Sequence, residues 1–150
     1  MPIRRTTTQT AIDRYIEEMV EKRKEALIYN LCAVGEQVVN EARGKGSYKD
    51  WTGNLRSSTG YIVAVDGQVY KAGDFKAVHG SSGDGNTGKA TGEAFARSLA
   101  RQFPQGIVLV VVAGMNYASY VSAKGKDVLD SAELLAGRLV PRMLRQLGIK

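Results

Sequence analysis

One long pattern of apolar residues dominates the first third of the chain. Apolar residues return every three or four positions from Ile12 to Ala42, which is the spacing of one stripe on an α-helix. The pattern predicts a first helix over residues 10–43. Because Arg23 interrupts the stripe amid dense charge, we expect the N-terminal half of this helix to project from the domain. A helix longer than its own domain can cover is a first indication of assembly with a neighbour.

Two later stretches have the composition of β-strands. Residues 61–65 are β-branched and aromatic, Asp66-Gly67 is typical of a type I′ turn, and residues 68–70 return. This pattern predicts a hairpin. Ile107–Ala113 is apolar at every position, so we expect both of its faces to be buried and the strand to be central in the sheet.

A polar, glycine-rich stretch over residues 73–88 separates the hairpin from the apolar strand, and it predicts a mobile loop. A short helix is expected to follow, with Thr91 near its N-cap and with Phe95 and Leu99 together on one face. Loop and helix together, residues 73–104, are predicted to form an excursion between two strands of one sheet.

The end of the chain predicts two more helices. Asn116 is placed to cap a single helical turn that Gly125 ends. The last helix is predicted over residues 130–147, with Asp130 and Glu133 spaced as a capping pair.

These elements predict an α+β fold in a single domain over residues 1–150. The expected architecture is a small, mostly antiparallel sheet of three to four strands, packed by the long N-terminal helix and the C-terminal helix. Pro141 lies inside the C-terminal helix, and its ring would crowd the carbonyl of Gly137, four residues back. We therefore expect that helix to be kinked.

Composition and charge do not alter the predicted fold, but they bear on the kind of partner that the protein can bind. With 43% hydrophobic and 24% charged residues among 150, the chain resembles an ordinary folded domain. Its formal net charge of +6 either favours an acidic partner or serves solubility alone. The single cysteine, Cys32, cannot form an intrachain disulfide, and in a helix it is expected to act as a small apolar residue.

No membrane or export signal is expected from the sequence. Arg4 and Arg5 are followed by polar residues, which fits neither a secretory nor a twin-arginine signal. The longest apolar run, residues 107–113, is much shorter than the roughly 20 residues of a membrane-spanning helix. We therefore expect a protein that is made and kept in aqueous solution.

The strongest catalytic suggestion comes from residues 83–90, which read GDGNTGKA. They match the spacing of a phosphate-binding loop, but Ala90 stands where a Ser or Thr hydroxyl would bind magnesium. His79 is the only histidine, and together with Cys32 it cannot supply the three or four ligands of a zinc site. We therefore expect no enzyme activity, no catalytic residue, no cofactor and no metal.

The basic residues near the C-terminus allow a second interpretation. Arg138, Arg142, Arg145 and Lys150 form a stretch without acidic residues. Cations also stabilise a helix C-terminus without any ligand. A nucleic-acid-associated binding module therefore remains the alternative function, although no aromatic–basic platform or zinc knuckle accompanies these residues.

Two short stretches favour one family over the others. The first, DWTGNLRSS, precedes the first strand, and the second, NYASYV with a later glycine, follows the apolar strand. Together they resemble the minor tail-component family of long-tailed bacteriophages, which includes small neck and tail-completion proteins. The residues that carry the resemblance are Trp51, Thr52, Gly53, Asn54, Leu55, Tyr117, Ala118, Tyr120, Val121 and Gly125.

The resemblance implies a structural virion protein that acts in tail completion or head-to-tail joining. Its implied partners are further copies of itself in a ring and other phage neck and tail proteins. Its implied location is the virion tail or neck, after assembly from the host cytoplasm. Ser122 departs from the family pattern, which usually has an acidic residue there, and the 73–104 excursion is longer than in many members.

The motif residues themselves allow two physical roles. Thr52 and Gly53 can turn the chain so that Leu55 enters the core under the sheet. Tyr117 and Tyr120 can lock the last helix against the strands or pack on a neighbouring subunit. Packing within one subunit and contact between subunits both remain open.

Overall fold

A computed structural model describes residues 3–4, 6–73 and 75–149 of the chain. Arg5 and Lys150, part of the two basic termini considered above, therefore lie outside the described residues. The helices and strands, in chain order, are α1 (Gln9–Lys45), α2 (Asn54–Ser57), β1 (Thr59–Val65), β2 (Gln68–Gly73), α3 (Asn86–Ala100), β3 (Ile107–Ala113), α4 (Ala118–Ala123) and α5 (Asp130–Gln146). The predicted α+β fold is confirmed, with a sheet of three antiparallel strands.

The predicted hairpin is confirmed and forms two of the three strands of the sheet. Asp66 and Gly67 have φ angles of 51° and 80°, the left-handed pair that a type I′ turn requires. The turn is tied to the start of β3, because the Asp66 carboxylate accepts a hydrogen bond of 2.9 Å from the amide of Gly106. The hairpin register shifts between Val63 and Ala64, where the strand pairing has a bulge.

The prediction that β3 is the central strand is wrong. The strand order is β2-β1-β3, so β1 is central and β3 is an edge strand. Tyr61 and Ile62 of β1 are fully buried, on opposite faces of the sheet. Both faces of the sheet are covered, by α1 and α5 on one side and by α3 on the other. A strand that is apolar at every position therefore indicates that both faces of the sheet are covered there. It does not indicate that the strand is paired along both of its edges.

Helix α1 has two halves with different surroundings. The first buried side chain is Ile28, and from there the helix packs on the sheet and on α5. Gly35 lies against the Tyr61 ring, where a Cβ would be 2.7 Å from the nearest ring carbon. Cys32 is buried, as predicted, and burial raises the pKa of its thiol. The predicted projection of the N-terminal half is confirmed, since almost every residue before Leu27 is exposed.

Helix α3 begins five residues earlier than the predicted N-cap at Thr91. Its buried positions are Gly88, Gly92, Ala96 and Ala100, so the side towards the sheet is made of small residues. Phe95 and Leu99 share one side of α3, as predicted, but only Leu99 packs against the core, whereas Phe95 is 45% exposed. The four-residue spacing of glycine and alanine marks the buried side, and the two glycines let the backbone of α3 approach α2 and Ser58 closely.

The last two helices keep their predicted places with different caps. Asn116 does not cap α4, which begins after Tyr117, whereas Gly125 ends it with a φ of 77°, as predicted. The Asp130–Glu133 capping pair is also wrong. Instead the carboxylate of Asp127 accepts hydrogen bonds from the amide and the hydroxyl of Ser131. Pro141 is accommodated inside α5, which continues to Gln146.

Candidate assembly site

The first motif folds into a capped turn at the start of the sheet. Asp50 lies before α2, and its carboxylate accepts hydrogen bonds from the amides of Leu55 (3.3 Å) and Arg56 (2.8 Å). Gly53 has a φ of 78°, which favours glycine, and a Cβ there would overlap the carbonyl oxygen of Val78. The predicted turn at this point is confirmed.

Leu55 is buried, as predicted, but not under the sheet. It packs in a separate cluster with Tyr48, Ala118 and Val128. Burial raises the pKa of Tyr48 to about 12, while the Arg56 guanidinium over its ring, 4.7 Å from the centroid, works in the opposite direction. The first motif therefore forms a corner of the fold beside the sheet, and the side chains packed in this corner are shielded from water.

The glycine-rich segment lies on this motif and is hydrogen bonded to it. The buried Ser57 hydroxyl accepts a 2.6 Å hydrogen bond from the amide of Val78. The carbonyl of Trp51 accepts a 2.7 Å bond from the amide of Ser82. The prediction of a mobile loop over residues 73–88 did not anticipate these contacts or the helical turn at its end.

The same contacts explain the glycines that resemble a phosphate-binding loop. The amide of Gly88 donates a 3.0 Å hydrogen bond to the side-chain oxygen of Asn54, and a Cβ on Gly88 would overlap the Asn54 carbonyl. A Cβ on Gly92 would likewise overlap the carbonyl of Ser58. These glycines allow two backbones to meet, and the Gly88 amide is already bonded.

The second motif meets the first at the same corner. Ala118 is buried against Leu55, and Val121 is partly buried in the same cluster. Burial raises the pKa of the Tyr117 phenol, and the nearby Thr52 side chain of the first motif lowers it in part. Two stretches more than 60 residues apart in the sequence therefore form one structural unit.

Two aromatic residues of the motifs remain outside this packing. Trp51 is 62% exposed, with the Lys49 ammonium 5.5 Å from its ring centroid. Tyr120 is similarly exposed, and the ammonium of Lys124 lies 4.5 Å from its ring centroid. Gly53, Leu55 and Ala118 thus serve packing, whereas these two rings are free to contact another molecule.

A larger apolar surface lies on α1, far from the motifs. We call residues 9–21 the projecting segment; all of them are exposed except the half-buried Ile12. Ile16 is 53% exposed, and Met19 and Val20 are exposed to a similar extent. The segment is acidic, with four carboxylates (Asp13, Glu17, Glu18 and Glu21) against one arginine.

Helix α5 presents an exposed basic surface. We call it the outward face of α5; its residues are Leu134, Gly137, Arg138, Pro141, Arg142 and Arg145, all exposed. Leu134 is 73% exposed. Asp130, which is also exposed, lies one turn before Leu134 on the same side, but no acidic residue follows Glu133, so the face from Leu134 onward carries three positive charges.

Two cavities of similar volume differ in their linings. One, about 540 Å³, lies between α3, the end of β3 and α4, and is lined by residues such as Phe95, Met115 and Asn116, none of which is titratable. The other, about 510 Å³, lies between α1 and β2, and its lining includes Cys32 and Lys71. Within the described ranges, no three His, Cys, Asp or Glu side chains lie close enough together to hold a metal ion. Of the helices described, none is long and apolar enough to cross a membrane.

Comparison with protein-family models, with curated proteins and with solved structures gave no match.

Proposed function

We propose that this chain is a structural protein of the neck or tail of a long-tailed bacteriophage. It acts in tail completion or head-to-tail joining, by protein–protein assembly and not by catalytic turnover. Its place of action is the virion, and its partners are further copies of itself and other neck and tail proteins.

The observation that carries this proposal is the projecting segment. Apolar side chains such as Ile16 and Met19 are exposed on several consecutive turns of a helix that runs beyond its own domain. Burying such side chains is worth roughly 25 cal/mol per Å² of apolar surface, so a neighbour that covers the stripe gains binding energy. Contiguous exposed apolar surface of this kind marks interaction sites.

The two motifs add independent support. Their order and spacing resemble the tail-component family, and their residues divide into a packed corner and exposed rings. Trp51 and Tyr120 are large amphipathic side chains of the type enriched in protein interfaces. The motif segments therefore offer a second contact surface besides α1.

The test measures assembly directly. Light scattering coupled to size exclusion, over a range of concentration and salt, is expected to give one discrete oligomer of ring size, formed alone or on addition of neck and tail proteins. The proposal is overturned by a chain that stays monomeric and also fails to bind any neck or tail protein in pull-down experiments.

The alternative, a nucleic-acid-associated module, draws on one observation, the three exposed arginines of α5. Phosphate contacts release counterions, so the logarithm of the affinity should fall linearly with the logarithm of salt concentration. Fluorescence anisotropy with a labelled DNA duplex measures this slope. A steep slope together with tight binding would favour the alternative over assembly.

A further inference from the structure

We propose that the projecting segment of α1 binds the outward face of α5 on a second copy of this chain. The inference rests on the proposed function, since it names the two surfaces through which copies would join. It commits to a head-to-tail contact, in which each copy uses a different surface towards each neighbour.

The apolar stripe of the projecting segment continues the core face of α1 beyond the domain. Ile16 lies about five helical turns before the buried Val34, on the same side of the helix, and Val20 has the same relation to the buried Val38. Met19 borders the end of α5 at Leu147, and Ile16 lies nearly one turn beyond it. The stripe therefore extends past the point where its own domain can cover it.

The outward face of α5 cannot be reached by the projecting segment of the same chain. The opposite side of α5, with Ala132 and Met143, is buried against the core that α1 helps to form. The outward face, including Leu134 and Arg142, lies on the far side of the helix. Contact between the two surfaces therefore requires two copies.

Charge complementarity favours the outward face of α5 as the surface that the projecting segment binds. The projecting segment carries four carboxylates and one arginine, a net charge of −3, and the three cations of residues 22–24 follow it directly, where Lys24 pairs with Glu21. From Leu134 to its end, α5 carries three arginines and no carboxylate. Arg138, Arg142 and Arg145 are spaced by four and three residues, so they share one side of the helix. An acidic segment inside a chain of net charge +6 is suited to a basic surface like this one.

Shape complements the charge. Leu134 is an exposed apolar anchor, and one turn later Gly137 leaves a gap in which a Cβ would have no atom within 4 Å. Side chains such as Ile16 and Val20 can fill such a gap while the arginines reach the carboxylates beside them. The contact therefore combines an apolar centre with a charged rim.

Charge reversal on each surface tests the contact. Glu17→Arg/Glu18→Arg alters only the projecting segment, and Arg138→Glu/Arg142→Glu alters only α5. Each variant is expected to weaken self-association, measured by analytical ultracentrifugation, by about tenfold or more. All four residues are exposed, and unchanged thermal unfolding verifies that both variants fold. Lys89→Glu/Arg101→Glu, at an exposed position of α3 and at the exposed residue that follows this helix, is the matched control and should associate like the wild type.

Mixing the two variants separates this contact from a symmetric one. Each retains one intact surface, and the two reversed surfaces are complementary to each other, so an equimolar mixture should regain assembly with the two variants alternating, and joining all four changes in one chain should also restore assembly. A mixture that stays monomeric overturns the head-to-tail contact, and an α5 variant that by itself associates like the wild type would favour a symmetric α1–α1 pair instead.

The remaining outcomes also decide. A wild-type chain that is monomeric at about 1 mM overturns the inference, whereas the proposed function then still depends on binding to neck and tail proteins. Wild-type oligomers that both variants leave unchanged overturn the inference and leave the function standing. A loss of DNA binding in the α5 variant without any change in self-association would assign the arginines to nucleic acid instead.

Discussion

Small residues are buried on the inward face of α3, and large apolar residues are exposed on the projecting segment of α1. Both are the reverse of the usual relation between side-chain size and burial. On α3, Gly88 and Gly92 are buried while Phe95 is exposed. On the projecting segment, large apolar side chains such as Ile16 and Met19 are exposed. Contacts within the chain cover the inward face of α3, whereas the projecting segment has no such contacts along most of its length.

The difference shows that burial depends on how near the neighbouring backbone lies. Helix α3 approaches the motif so closely that the carbonyls of Asn54 and Ser58 occupy the space of a side chain. The projecting segment has no neighbouring element of its own chain at that distance. A small residue on one helix and a large one on another can therefore both mark a contact surface, within the chain in the first case and between chains in the second.

The largest effect is expected from adding one carbon to α3. Gly92→Ala would normally favour a helix by about 1 kcal/mol, but here the new Cβ overlaps the Ser58 carbonyl. We expect a net loss of about 2–3 kcal/mol, as for an overpacked core. Phe95→Ala, which removes most of a large but 45% exposed side chain, should cost less, about 1 kcal/mol. Urea denaturation of both variants measures the order.

Gly44→Ala is the control for this prediction. Gly44 lies in the last turn of α1, and a Cβ there would have no atom within 4 Å. The substitution should stabilise the protein by about 0.5–1 kcal/mol, because alanine loses less conformational freedom on folding. If Gly92→Ala stabilises the protein as well, the close approach of α3 is refuted.

The next effect tests whether the glycine-rich segment is held to the motif. Ser57→Ala removes the acceptor for the amide of Val78 and leaves a part-buried donor unpaired, which should cost about 1–2 kcal/mol of unfolding free energy. Ser82→Ala removes an exposed hydroxyl, but the backbone amide of residue 82 still donates to the carbonyl of Trp51. The free energy of unfolding should therefore change by no more than about 0.5 kcal/mol. Equal effects in thermal unfolding would contradict the difference between the two serines.

The sequence predicted the elements better than their contacts. The hairpin, the long helix and the α+β fold followed from local periodicity and turn chemistry, which act within a few residues. The edge position of β3 depends on which strands pair, and no local pattern encodes that. The buried side of α3 does follow a four-residue spacing of small residues, but the backbone that Gly88 and Gly92 contact lies over 30 residues earlier in the chain. Leu55 and Ala118 were identified through their motifs, yet their meeting in one cluster is visible only in three dimensions.

A smaller effect, confined to alkaline pH, tests how well the buried cluster around Tyr48 is shielded from water. Burial raises the pKa of Tyr48 from 10.0 to about 12 in the folded protein. Between these values the unfolded chain has lost the proton and the folded chain keeps it, so stability falls as pH rises from about 10 to 12. Tyr48→Phe should flatten this part of the curve, and Tyr15→Phe on the projecting segment should not. Chemical denaturation at several pH values provides the measurement.

The smallest effect on stability is expected in the projecting segment itself. Ile16→Ala removes a side chain that is 53% exposed and lies outside the core, so the free energy of unfolding of the dilute monomer should change by less than about 0.5 kcal/mol. Self-association should weaken nonetheless, because the same side chain supplies apolar area to the neighbouring copy. Denaturation at low concentration and ultracentrifugation at high concentration separate the two quantities. A large loss of monomer stability would mean that the segment packs on its own domain, and the contrast with α3 would disappear.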